Sequence, residues 1–261
     1  MEKAITIGEV VGCLDTIFRP ELQEDYDNAG FLLGDSRAHY RGTLVALDLT
    51  AAVVEEAMEE ELNLIVTHHP FIFSGLKRIT DRTEAGRLTM TLIQNGIAVY
   101  AAHTNLDNLP WGVNGALSEK LGLVNCKILQ GDETGAGMVG ELPEAMEADR
   151  FLLEVKALTG QPSLRTSAHD PKHKVKRVAL CGGSGSFLIG DAIAAHADIF
   201  ITADLKYHDF QRAEGRLIIV DAGHYETEQF AKEIISRAIS EKFSNFACRI
   251  SRTQGSLVQY I

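Results

Sequence analysis

The chain repeats its own strand and helix pattern, and that repetition limits its fold more than any single motif. Thr43-Leu-Val-Ala-Leu47 leads through a helical stretch to Leu64-Ile-Val-Thr67, and Val175-Lys-Arg-Val-Ala-Leu180 leads through another to Ile199-Phe-Ile-Thr202. The match is local as well as general: Val45-Ala-Leu47 answers Val178-Ala-Leu180, and Ile65-Val-Thr67 answers Phe200-Ile-Thr202. Apolar runs of strand length alternating with helices require a mainly parallel sheet covered on both faces. Each half reads α-β-(β-α)×3. The expected fold class is therefore α/β, with two related three-layer α/β/α repeats and mostly parallel, mixed sheets; one continuous sheet is the alternative. The first repeat is assigned to residues 1–128 and the second to 129–261.

Local signals place the elements. Thr6 and Glu9 form a capping box for a helix running to about Phe18, with Val10, Leu14, Ile17 and Phe18 as its buried stripe. A short strand is expected at Phe31–Leu33, and Thr50 is the expected N-cap of a helix whose apolar face is Val53, Val54, Ala57 and Met58. A helix near Glu84 to Gln94, a strand at Ile97 to Tyr100 and a helix near Val113 to Leu121, ended by Gly122, complete the half. The second half adds a helix near Glu147 to Leu158, a strand near Leu164, a helix through Ile189 and Ile193, a short helix near Tyr207 to Ala213, a strand at Leu217 to Val220, and a long helix from about Thr227 to Phe243.

Composition narrows the function classes. With 261 residues and 45% hydrophobic content the chain can bury a substantial core. A net charge of −11 and a pI near 5.3 repel a phosphate backbone, so a nucleic-acid partner is not expected, and the basic stretch from Lys172 to Arg177 reads as a solvated loop. The four cysteines have no Cys-x-x-Cys pair and suit a reducing compartment. Without an apolar run of membrane-spanning length, the expected location is cytoplasmic.

Ligands of such sheets gather at the carboxyl ends of the strands. His68 and His69 follow the strand ending at Thr67, His103 follows Ile97 to Tyr100, His224 follows Leu217 to Val220, and His208 closes Asp204-Leu-Lys-Tyr-His208. Neighbouring side chains of a regular strand point to opposite faces, but Pro70 ends the strand here, so both imidazoles can face one crevice. His103 with Asp107, and His224 with Glu228, are i, i+4 pairs at corresponding places in the two halves. That spacing stacks two ligands on one helical face. Imidazoles and carboxylates form a mixed nitrogen and oxygen set suited to zinc, iron, manganese or nickel, and one carboxylate can bridge two ions roughly 3.5–4 Å apart. Taken singly, the His-His-Pro run also reads as a strand cap and each i, i+4 pair as a helix-start cap. Their joint occurrence in a duplicated chain points instead to a dinuclear centre between the halves. His196 reads as a core or capping residue, and His169 and His173, separated by Pro171, are set aside. Cys181-Gly-Gly-Ser-Gly-Ser-Phe187 lacks the endings of the phosphate-loop and dinucleotide motifs and reads as a tight strand-to-helix turn.

Thr67-His-His-Pro70, Ala102-His-Thr-Asn-Leu-Asp107, Asp204-Leu-Lys-Tyr-His208 and Gly223-His-Tyr-Glu-Thr-Glu228, with Asp27-Asn-Ala-Gly30 as a weaker fifth, make the chain resemble the Nif-three-like dinuclear-metal family, also labelled GTP cyclohydrolase I type 2 homologs. The resemblance covers nearly the whole chain. It implies intertwined α/β repeats, two divalent ions per chain and a ring-shaped homohexamer. By motif it implies His68 and Asp107 as ligands of one ion, His69 and His224 as ligands of the other, and Glu228 as the bridge, with His103, Tyr207, His208 and Asp27 lining the site. The stretch from Val124 to Leu142 is too short to hold an inserted domain, as in the family's short form. Tyr26 stands where the family usually has Trp, and Gly115 follows Asn114 where it usually has Asp. The expected function is a metal-dependent hydrolase of a nucleotide-like or other small substrate, with His103 or His208 moving protons and Lys206 holding an anion. The competing expectation is a non-catalytic metal-binding scaffold or regulatory protein acting through the ring.

Overall fold

The computed structural model describes residues 5–253 and 255–259. Thr6 accepts the Glu9 amide while the Glu9 carboxylate accepts the Thr6 amide, and this reciprocal cap starts α1 (Ile7–Phe18). β1 (Gly30–Leu33) and β2 (Gly42–Ala46) follow, then α2 (Ala51–Glu59), capped by the Thr50 hydroxyl, and β3 (Leu64–Thr67). Next come α3 (Glu84–Gln94), β4 (Ala98–Ala101), α4 (Thr104–Asp107) and α5 (Val113–Lys120). β5 (Val124–Gly131) and β6 (Gly135–Glu147) form a hairpin, followed by α6 (Ala148–Thr159), β7 (Arg165–Thr166), β8 (Lys174–Ser184), α7 (Ile189–Ala194) and β9 (Ile199–Ala203). The chain ends with α8 (Tyr207–Gln211), β10 (Ile218–Asp221), α9 (His224–Glu228), α10 (Ala231–Lys242) and β11 (Ala247–Ile250). Among the described residues no helix is long and apolar enough to cross a membrane.

Two compact units result, one of Met1–Leu106 with Ala231–Gly255 and one of Asp107–Phe230 with Ser256–Ile261. In the first, the sheet order is β1-β4-β3-β2-β11, parallel except for β1. Leu44, Ile65 and Val99 lie side by side in register and pack with Val53, Val54 and Ala57 of α2 and Leu88 and Leu92 of α3. Side chains alternate across a strand, so Val45, Val66 and Tyr100 face the other way, where the Tyr100 hydroxyl donates to Asp15 of α1 at 3.0 Å. Helices therefore cover both faces.

In the second unit the order is β5-β6-β8-β9-β10-β7, with β8, β9 and β10 parallel and the outer pairings antiparallel. Val178, Leu180, Ile201 and Val220 pack with Phe151 and Val155 of α6 and Leu117 of α5. Ala179, Phe200 and Ile219 point to the opposite face and pack with Ile189 and Ala192 of α7. Each unit is a three-layer α/β/α arrangement around a mixed sheet, as the repeat implies.

Two local expectations need correction. Met58 is exposed, and Glu56 takes a buried place on α2 because the Ser251 hydroxyl and the Arg252 amide donate to its carboxylate. The long helix expected from Thr227 is two helices. Phe230, at their junction, is buried in the core of the second unit, while Ile234, Ile235 and Ile239 of α10 are buried in the first. The β5–β6 hairpin and β11 have no counterpart in the sequence reading. β11 extends the parallel ladder beside β2, with Cys248 opposite Thr43 and Ile250 opposite Val45.

Candidate metal centre

In the first unit the parallel register brings Ala46, Thr67 and Ala101 level, so the residues just beyond them meet at one end of the sheet. The ladder runs slightly past β3, since the amides of His68 and His69 donate to Ala46 and Leu47, and Pro70 then ends it. Beyond β4, His103 comes level with the pair. The ring centroids of His68 and His69 lie 5.0 Å apart, those of His68 and His103 5.3 Å, and those of His69 and His103 5.5 Å. One ring nitrogen from each of the three lies within 4.8 Å of the others, a group that could hold a metal ion.

Each ring is fixed through Nδ1. That atom of His68 lies 2.7 Å from the Ala102 carbonyl, that of His69 2.7 Å from Asp48 Oδ1, and that of His103 2.8 Å from Asp27 Oδ1. A carbonyl or carboxylate oxygen accepts, so Nδ1 carries the proton and Nε2 carries the lone pair that a metal would take. The Asp27 side chain is fully buried and also accepts from the Thr104 amide and hydroxyl. Burial opposes its charge, but the bonds from His103 and Thr104 prevail and hold its carboxyl at about 2. Its structural part is to hold His103.

In the second unit α9 starts at His224 and ends at Glu228. One helical turn sets His224 Nε2 2.9 Å from Glu228 Oε2 while Nδ1 lies 2.7 Å from Asp204 Oδ2. Burial opposes the charged imidazole, but its bonds to Asp204 and Glu228 and their charges overcome this and raise His224 to about 11. In turn His224 lowers the pKa of Asp204, whose carboxylate also accepts from the Ser184 hydroxyl. The tight turn expected over Cys181 to Phe187 is shorter than that: Cys181 to Ser184 continue β8 and only Gly185 to Phe187 leave the strand. The shape of the strand end serves Glu228, since Gly183 has φ +61° and a Cβ added there would collide with the Glu228 carboxylate. Burial pushes the Cys181 thiol well up, assisted by the charges of Asp107 and Glu228.

The remaining expected residues are placed less tightly. Lys206, Tyr207 and His208 are exposed at the start of α8, with the Tyr207 and His208 rings 5.3 Å apart and His208 Nδ1 3.1 Å from Gln211. His169 bonds to Ser167 and Asp149, and His196 ends α7 in a left-handed conformation. Asp48 has no place among the sequence expectations, and Asp204 and Ser184 stand there only inside quoted motifs, without a role of their own. A usable signal exists for Asp48 and Asp204: each is an acidic residue just beyond the strand paired with the one that carries the histidine. Fixed imidazoles with buried carboxylates make a nitrogen and oxygen donor set that fits a borderline or hard divalent ion.

The sequence matches the family model for Duf34/NIF3 (NGG1p interacting factor 3) over residues 5–255. A Clostridium perfringens protein named GTP cyclohydrolase 1 type 2 homolog is 34% identical over 246 residues, spanning 92% of this chain and 93% of that protein. The crystal structure of a Staphylococcus aureus hypothetical protein is similar with a TM-score of 0.92 at 29% identity, covering 99% of this chain and 100% of that one. A Bacillus cereus protein related to NIF3 shares the fold, with a TM-score of 0.93 at 24% identity over the full length of both. The chain belongs to the Duf34/NIF3 family.

Proposed function

We propose that the chain binds two divalent ions, with His68 and Asp107 on one, His69 and His224 on the other and Glu228 on both, and that it hydrolyses a nucleotide-like or other small substrate. The observation that carries this reading is shared by four histidines: His68, His69, His103 and His224 each have Nδ1 against an oxygen, in three cases a carboxylate. Ligating imidazoles are oriented in this way, and their oxygen partners tune affinity. The donor set suits zinc, iron, manganese or nickel.

When bound, such ions polarise an electrophilic centre and lower the pKa of water. The chain's own residues supply the rest. His103, held by Asp27, exchanges a proton at Nε2 with the reacting group, and His208 is a second candidate for that part. Lys206 and Tyr207, both exposed, hold an anionic portion of the substrate. Ring opening of GTP with loss of formate is the specific form suggested by the name of the Clostridium relative. The working form is a cytoplasmic homohexamer.

Elemental analysis of the purified protein tests the centre. About two ions per chain are expected, both weakened by Glu228→Gln, with roughly one kept by His69→Ala. If Glu228→Gln keeps both ions at full affinity, or if His68→Ala and His69→Ala each strip the site completely, a single-ion centre replaces this reading. The hydrolase assignment is tested apart from it, by phosphate, formate and pterin release with each candidate metal; a metal-loaded protein inactive on all substrates leaves a metal-binding scaffold.

A further inference from the structure

At the end of β10 in the second unit, one carboxylate meets the backbone beside each member of the His224–Asp204 pair. Asp221 stands in register with Thr202 of β9 and with Arg165 of β7. Its Oδ2 accepts from the amide of Leu205, the residue after Asp204, at 3.2 Å. Its Oδ1 accepts from the amide of Gly223, the residue before His224, at 3.3 Å. Arg165 completes the arrangement, with Nη1 donating to the same Oδ2 at 3.0 Å and Nη2 to the Leu205 carbonyl at 3.0 Å. Both backbone groups of Leu205 are thus taken up by one ion pair.

The Arg165 side chain is 57% exposed and that of Asp221 10%, and a pair so open on one side adds little stability through its charges alone. What it supplies is direction. A guanidinium is a rigid planar fork, so gripping Asp221 with one nitrogen and the Leu205 carbonyl with the other fixes the spacing between β10 and the loop after β9. Phe210 of α8 backs the fork, its ring centroid 5.3 Å from Arg165 Cζ. Leu205 is buried, and Asp204 before it has a left-handed backbone, with φ +58°. Released at Leu205, the chain would relax from that conformation and draw the Asp204 carboxylate off Nδ1 of His224.

We propose that Arg165 and Asp221 are positioning residues: they hold Leu205 and Gly223, and through them Asp204 and His224, so that the His224 ring keeps Nδ1 on Asp204 and turns Nε2 toward Glu228. Neither belongs to the proposed ligand set. The assignment rests on the proposed function for its consequence, because the ring so held is read there as a ligand, whereas the orientation itself belongs to the metal-free chain. A carboxylate that orients a ligating imidazole tunes its affinity, so whatever fixes that carboxylate acts on the ion at one remove.

Two measurements on the full chain test the proposal. In zinc-free protein, hydrogen exchange read by mass spectrometry should quicken in Arg165→Ala over residues 203–207 and 222–228 and stay native elsewhere. Zinc affinity, measured against a competing chelator, should fall about 3- to 30-fold in Arg165→Ala. Arg165→Lys keeps the charge over Phe210 but lacks the fork, and should also fall below native affinity. Because the pair acts through Asp204, adding Arg165→Ala to Asp204→Asn should cost less than about 2-fold more, whereas adding it to Asp48→Asn should cost its full amount. Native zinc affinity in either Arg165 variant, a full further loss on top of Asp204→Asn, or exchange that is unchanged or quickened throughout the second unit would overturn the positioning part. The two readings fail separately: local quickening in a chain that binds no zinc keeps the positioning pair and removes the metal centre, and zinc bound with native affinity by the variants does the reverse.

Discussion

Asp204 reaches Nδ1 of His224 at 2.7 Å from a backbone position with φ +58°, a left-handed conformation that non-glycine residues seldom adopt. The bond to His224 and the one from Ser184 converge on the same carboxylate oxygen, Oδ2. Local strain of this kind persists where surrounding bonds over-determine it, and it concentrates at functional sites.

Asp204→Asn should therefore be informative, because asparagine tolerates the same backbone conformation but carries no charge. Metal affinity is expected to fall about 10- to 100-fold with little change in melting temperature, as for other partners of ligating histidines. Asp48→Asn should do the same through His69. Chelator competition measures both, and undiminished affinity in the two variants would count against the orienting part given to these carboxylates.

Gly183→Ala is expected to destabilise the fold by about 1–3 kcal/mol, since alanine resists the positive φ and its Cβ would meet the Glu228 carboxylate. Gly190→Ala serves as the control: it lies within α7 with open space around it, so alanine should stabilise by about 0.5–1 kcal/mol. Urea midpoints of the two variants should move in opposite directions.

Glu56 links stability to acid. Burial opposes its charge, but bonds from the Ser251 hydroxyl and from Arg252 more than compensate and lower its pKa below the ordinary 4.5. A depressed carboxylate contributes stability fully above its unfolded pKa and loses it as pH falls through the folded value. Glu56→Gln should cost about 1–3 kcal/mol at pH 7, and the difference from the native chain should shrink as the pH drops below 4.5. Denaturant titrations at pH 7 and pH 3 measure this, and a constant difference would show that the charge is not what matters.

The features legible in the sequence were those written in short stretches. The cap at Thr6, the strand Leu64–Thr67 and the helix Glu84–Gln94 follow from signals within a few residues, and the structure has them. The grouping of His68, His69 and His103 also follows, because parallel strands align their ends. What escaped depends on distant partners. Glu56 faces inward because of Ser251, 195 positions away, and no helical period shows this. β11 is four residues long and mostly exposed, without the alternation that marks a half-buried strand. Asp48 and Asp204 carried a topological signal rather than a periodic one, visible only once strand neighbours are known.

The return of α10 and β11 to the first unit gives the chain a delayed closing step during synthesis. While the ribosome is still adding the second unit, β2 has only β3 beside it and its other edge is bare until Ala247–Ile250 emerge. Such an edge is a template for pairing with other chains. A nascent polypeptide that has not yet reached Ala247 therefore carries an adhesive border that β11 later covers, and synthesis through Ile250 becomes a condition for keeping the first sheet to itself.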